Sequence, residues 1–159
     1  MKKTISILFI INALLMNFTF AQVYTDPAFP LVSDNITVFY DASQGTAGLK
    51  DCNCDVYVHT GLTANGATWK YVKTQWGQTN PAWKMTSLGN NLYSWTVDIN
   101  SFYTPTAGDD ITQMSFVFRN GNGSAEGKAS GGKDFFLDLF TVNSPLDRKS
   151  TRLNSSHVD

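Results

Sequence analysis

From Met114 to Val142 the chain reads MSFVFRNGNGSAEGKASGGKDFFLDLFTV. An alternating apolar run enters a glycine- and asparagine-rich loop, and a second apolar run leaves it. Such a segment resists a helix, where each interior glycine costs about 1 kcal/mol relative to alanine. It suits two short strands joined by a flexible turn. The same grammar recurs along the chain. Strands are predicted at Ile36–Tyr40, Val56–Thr60, Trp69–Val72, Lys84–Leu88, Leu92–Ile99, Met114–Arg119 and Phe135–Val142, with no convincing helix. Turn signals separate them at 44–48, Asn65-Gly66, Gly89-Asn90-Asn91, 108–110 and 121–132. Gly89-Asn90-Asn91 predicts a hairpin from Met85 to Trp95. Thr25–Pro30 reads as an extended lead-in, because each proline keeps its predecessor out of the helical region. About seven short strands of this kind form an all-β fold, an immunoglobulin-like antiparallel β-sandwich. Its inward positions are expected to include Ile36, Val38, Val56, Val58, Leu92, Phe116, Phe118 and Phe136. Residues 62–83 make the longest irregular stretch, and long loops on rigid scaffolds commonly carry function.

The two ends read differently from the middle. Lys2 and Lys3, the apolar run Ile5–Met16, and Thr19-Phe20-Ala21 before Gln22 have the layout of a secretory signal peptide over 1–21. The run is short for a membrane span, and no cysteine follows it to accept a lipid, so a secreted protein is expected. Residues 147–159, DRKSTRLNSSHVD, abandon the apolar alternation and resemble a translated sequencing-adapter sequence; the bland alternative is a polar tail. On the adapter reading, the natural frame is cut short near Leu146. The domain expected to fold is therefore 22–146.

Within 22–146 seven basic residues face eleven acidic ones, a net charge of −4 against −1 for the whole chain. A mildly acidic domain without a basic stripe argues against nucleic acid or anionic membranes as partners. Cys52 and Cys54 are separated by one residue. On a regular strand such a pair splays apart. A small ring in a turn and two free thiols both remain open. Outside the tail His59 is the only histidine, so no metal cluster and no cofactor are expected.

Alternation along Val56-Tyr57-Val58-His59 sends the valines to one face and Tyr57 with His59 to the other. With the valines in the core, a phenol ring and an imidazole would stand side by side in solvent, and Trp69 follows a short flexible loop. Sugars use such surfaces: the C–H face of a pyranose packs on a flat ring, while amides and imidazole nitrogens bond its hydroxyls. Asn120 and Lys128 in the glycine-rich loop are candidate polar partners, and Trp76 a further ring. Taken singly, each of these residues is better read as an ordinary edge or core residue. Catalytic readings find less. Asp41, Asp51, Asp98, Asp109 and Asp110 sit by turns, where capping explains them, and no nucleophile elbow or phosphate loop is present. No catalytic residue is assigned.

Taken in order, Tyr57 and His59, Trp69, Phe116-Val117-Phe118, Asn120-Gly121 and Gly132-Lys133-Asp134-Phe135 resemble the pattern of starch-binding modules of carbohydrate-binding families 25 and 26. The span Val23–Val142 is also similar to N-terminal modules of secreted α-amylase-like proteins of Bacteroidetes-type bacteria. The resemblance implies a non-catalytic module that binds an α-glucan polysaccharide through a platform of Tyr57, His59 and Trp69; the residues themselves add Trp76 as an extra ring and Asn120 with Lys128 as the polar flank. It also implies a covalently linked downstream catalytic domain missing from this chain, expected to be an α-amylase. One departure stands out. Such modules often carry a tryptophan in the loop after the FVF-N-G run, where this chain has Ser124-Ala125-Glu126; Trp76 or Trp83 would have to replace it. The alternative is an immunoglobulin-like spacer domain that binds no sugar.

Overall fold

A computed structural model describes residues 21–141. The signal peptide expected over 1–21, save Ala21, and the tail expected over 147–159 lie outside the described residues. Among the described residues nine strands form the scaffold: β1 (Val23–Asp26), β2 (Asn35–Asp41), β3 (Val56–Ala64), β4 (Ala67–Lys70), β5 (Thr86–Gly89), β6 (Leu92–Asp98), β7 (Ile111–Asn120), β8 (Glu126–Gly127) and β9 (Phe135–Asp138). One short helix, α1 (Ile99–Tyr103), links β6 to β7, its first turn capped by the Asp98 carboxylate on the Ser101 amide. Among the described residues no helix is long and apolar enough to cross a membrane.

Two antiparallel sheets pack face to face, so the chain is the expected β-sandwich. One sheet has the order β1-β2-β6-β5; the other runs β4-β3-β7-β8, with β9 also paired to β7. The additions to the seven strands predicted are β1, which ends in the first two residues of the extended lead-in, and the two-residue β8. The hairpin expected at 85–95 is present, with Asn90 and Asn91 both at positive φ in a two-residue turn that matches strand twist.

Period-two burial builds the core. Ile36, Val38 and Tyr40 from β2 meet Tyr93, Trp95 and Val97 from β6, and Val56, Val58 and Leu62 from β3 meet Met114, Phe116 and Phe118 from β7. The Tyr40 and Phe118 rings stack across the two sheets at 3.9 Å between centroids. Each such side chain contributes about 1.5–3 kcal/mol by leaving water. Two inward assignments fail. Leu92 is only half-buried, because Tyr93, Trp95 and Val97 claim the inner phase of β6. Phe136 is 43% exposed, because Phe135 sits opposite Phe116 in the β7–β9 register and takes the core position.

Where the sequence left alternatives or limits, the fold decides them. Cys52 and Cys54 are joined in a disulfide within the turn before β3. The predicted strand at 69–72 is displaced to Ala67–Lys70, and the predicted strand at 56–60 runs on to Ala64. The irregular stretch therefore runs from Tyr71 to Met85, broken by a 3-10 turn at Pro81–Trp83 and an isolated antiparallel bridge from Lys84 to Tyr57.

Candidate functional site

Alternation on β3 and β7 gives the five-stranded sheet a second, outer face. The register places Tyr57 beside Arg119, His59 beside Val117, and Gly61 beside Ser115, all pointing away from the core phase. No sheet covers this face, yet Ser115, Val117 and Arg119 are all buried. The loop after Trp69 reaches Arg119, and the Trp69 indole lies over their register partners Gly61 and His59.

Arg119 is the fastener of that cover. Its Nη1 donates to the carbonyls of Asn120 and Gly121, each at 3.0 Å. Its Nη2 donates to the Gln75 carbonyl at 2.9 Å and to the Gln78 carbonyl. One guanidinium therefore ties the Trp76 loop to the glycine-rich loop, resting 5.6 Å from the Tyr57 ring centroid and 5.8 Å from that of Trp76. The expectation of Tyr57 in solvent is corrected here. Tyr57 does face outward from the core, but it is 7% exposed because it forms the floor under Arg119.

His59 stands between two indole rings. Trp69 stacks on it at 5.4 Å with 27° between planes, and Trp76 meets it edge-on at 5.3 Å. Trp76 remains 45% exposed. Its indole lies on Gly123, where a Cβ would run into the ring, so the glycine-rich loop needs that glycine for close approach. Trp76 thus reaches the loop in which the sequence lacks a tryptophan. Trp83 does not; it packs against the core.

Hydrogen bonds hold the His59 ring in place. The Thr60 amide donates to Thr74 Oγ1 at 3.0 Å, and Thr74 Oγ1 shares a hydrogen bond with His59 Nδ1 at 2.9 Å. Among the described residues Nε2 has no hydrogen-bond partner. Burial, and then the Arg119 charge, hold the His59 pKa below its ordinary value, with Asp134 pulling the other way.

That shift has a consequence for acid stability. Protonation of His59 is harder in the folded state than in the unfolded one. Folding stability should therefore fall as pH drops from about 6.5 through the lowered folded value. Asp98 and Asp109 are also held below the ordinary carboxylate value, by the Ser101 amide and by the Tyr71 hydroxyl respectively. Their contribution is present above pH 3.8 and is lost only below it. Melting temperatures of His59→Gln across about pH 2–7 should lose the first slope and keep the second. An unchanged profile would contradict the buried, neutral imidazole.

Trp69 reaches the site by an unusual path. Its backbone φ is +56°, and that of Tyr71 is +55°, in the left-handed region that bulky residues rarely adopt. Such a conformation costs on the order of 1–3 kcal/mol and persists only when surroundings over-determine it. From β4 the indole crosses β3 over Gly61, whose missing side chain leaves the room; a Cβ there would lie 3.3 Å from Trp69 Cε3 and 2.9 Å from the Lys70 carbonyl oxygen. It ends by donating Nε1–H to Asp134 Oδ2 at 3.2 Å. The indole is therefore on the outer face and half-buried, outside the space between the sheets.

The predicted polar partners are divided. Lys128 lies 3.4 Å from Glu126 and 3.7 Å from Asp134, so it joins the Trp69 side of the site. Asn120 is spent on its own loop, its Nδ2 bonding Ser124 and its Oδ1 accepting from the Ala125 amide. The structure thus brings together His59, Trp69, Trp76 and Lys128, puts Tyr57 beneath them, and engages Asn120 in a turn. Sequence reasoning missed Arg119, Thr74 and Asp134. The first had a signal, as the one arginine of 22–146, standing two residues past Val117 in the outward phase. Among the described residues no cluster of side chains is arranged to hold a metal ion.

Residues 23–126 match the family described as Domain of unknown function (DUF8578), and the chain belongs to that family. No curated protein matches the sequence.

Proposed function

We propose that this chain carries a non-catalytic α-glucan-binding module of a secreted polysaccharide-degrading protein, with His59, Trp69 and Trp76 as its sugar platform. The observation that carries the reading is the ring cluster itself. An imidazole is flanked by one stacked and one edge-on indole on a sheet face that, among the described residues, no second sheet covers. Indoles offer flat apolar area to the C–H face of a glucose ring, and the Nε2 edge of the imidazole offers a hydrogen-bonding nitrogen to a hydroxyl. Trp76 supports the reading further, since it lies on the loop where starch-binding modules often place their own tryptophan. Trp76 stands 45% exposed on this face, and the clefts beside Cys54 and Tyr93 and between β1 and β9 lie away from it. An open platform suits a polymer that continues past the site on both sides. Binding would hold a linked hydrolase on its substrate and raise its effective concentration there.

The spacer reading draws on Tyr57 and Asn120, both committed to packing and turn bonds. Affinity electrophoresis of the chain in gels with and without soluble starch separates the two. Retardation in starch, with Kd on the order of 10⁻⁵ to 10⁻³ M, is expected of a single open platform. Equal mobility in both gels would favour the spacer.

A further inference from the structure

Trp69 is poorly placed by its own strand. It belongs to β4, at the edge of the sheet, with a left-handed backbone that a tryptophan does not choose unaided. Gly61 clears its path without steering it. What fixes the far edge of the ring is one acceptor, the Asp134 carboxylate, two strands away beside β9. A charged acceptor makes this bond stronger than one between neutral groups. The second oxygen of Asp134 faces Lys128 at 3.7 Å, and Lys128 is held in turn by Glu126 at 3.4 Å. The carboxylate is thus itself oriented from the glycine-rich loop.

We infer that Asp134 is a positioning residue for the ligand platform: its bond to Nε1 locks the Trp69 indole across β3 and β7 in the plane that stacks on His59. The inference rests on the glucan reading above, in which that plane receives the sugar. Asp134 itself stays off the ligand. Without it the indole is free to swing off the sheet, and the ring must be ordered at each binding event at the expense of affinity.

Two variants of the full chain test this, Asp134→Ala and Asp134→Asn. Alanine removes the acceptor. Asparagine keeps an acceptor oxygen for the indole but breaks the ion pair with Lys128. The Trp69 Nε1–H resonance, followed without ligand, should shift and exchange faster with water in Asp134→Ala, and stay near its native position in Asp134→Asn. In gels containing soluble starch, Asp134→Ala should bind about tenfold more weakly, and Asp134→Asn should recover most of the loss. An unmoved indole resonance in Asp134→Ala overturns the inference, as does native retardation of that variant. Equal losses in both variants also overturn it, by assigning the effect to the ion pair. A native chain that starch does not retard overturns the glucan reading as well, and so is distinguishable from a failure of Asp134 alone.

Discussion

Arg119→Met should lower the stability of the domain by about 3 kcal/mol and free the Trp76 loop. Methionine keeps the unbranched stem of arginine as far as Nε but lacks the guanidinium and its donors. Four carbonyls, from Gln75, Gln78, Asn120 and Gly121, lose their shared partner at once. Hydrogen bonds to a charged group are worth roughly 1.5–3 kcal/mol each, and a buried acceptor left unpaired costs about 1–3 kcal/mol. The full sum will not appear. The freed loop can turn its carbonyls to water, and removing a buried cation returns part of its desolvation cost. Urea unfolding at neutral pH measures the loss. The fluorescence of Trp76 should move toward that of a solvated indole well before the global transition. Arg119→Lys should fall between the two, because an ammonium lacks the planar fork that spans both loops. A methionine variant as stable as the native chain would mean that the loops hold together without Arg119.

The largest effect on binding is expected from Trp69→Ala. Retardation by soluble starch should vanish, while stability falls by less than about 2 kcal/mol, because the indole is half-buried on an outer face and supports no second layer. Relief of the left-handed strain at residue 69 offsets part of even that loss, since alanine tolerates the position slightly better than tryptophan. Heating curves and starch gels on the same preparation separate the two quantities. A loss near 4 kcal/mol would mark Trp69 as a core residue, since values of that size require a large cavity.

How far the sequence reached depends on the range of the interaction involved. Alternation is local, so the sandwich, the hairpin through Asn90-Asn91, and the inward set Ile36, Val38, Val56, Val58, Phe116 and Phe118 were legible from it. Phe136 was not, because choosing between two adjacent phenylalanines needs the register against Phe116. The burial of Tyr57 is a longer-range case. Period two correctly sends it away from the valines, but whether that face meets water is decided by a loop some twenty residues downstream, held there by Arg119. Asp134 shows the same limit. It sits within the Gly132–Phe135 run noticed in the sequence, yet its bond to Trp69 spans 65 residues and two strands. Local pattern names the rings; only the sheet order shows which of them meet.

The central claim is that His59, Trp69 and Trp76 receive an α-glucan. Its most direct test is a titration of the full chain with a malto-oligosaccharide, followed by the four tryptophan indole N–H resonances. The signals of Trp69 and Trp76 should move together and saturate, while those of Trp83 and Trp95, packed on the core and bonded to the Ala82 carbonyl respectively, stay in place. Four unmoved resonances at millimolar sugar, or movement confined to Trp83 and Trp95, would contradict the account.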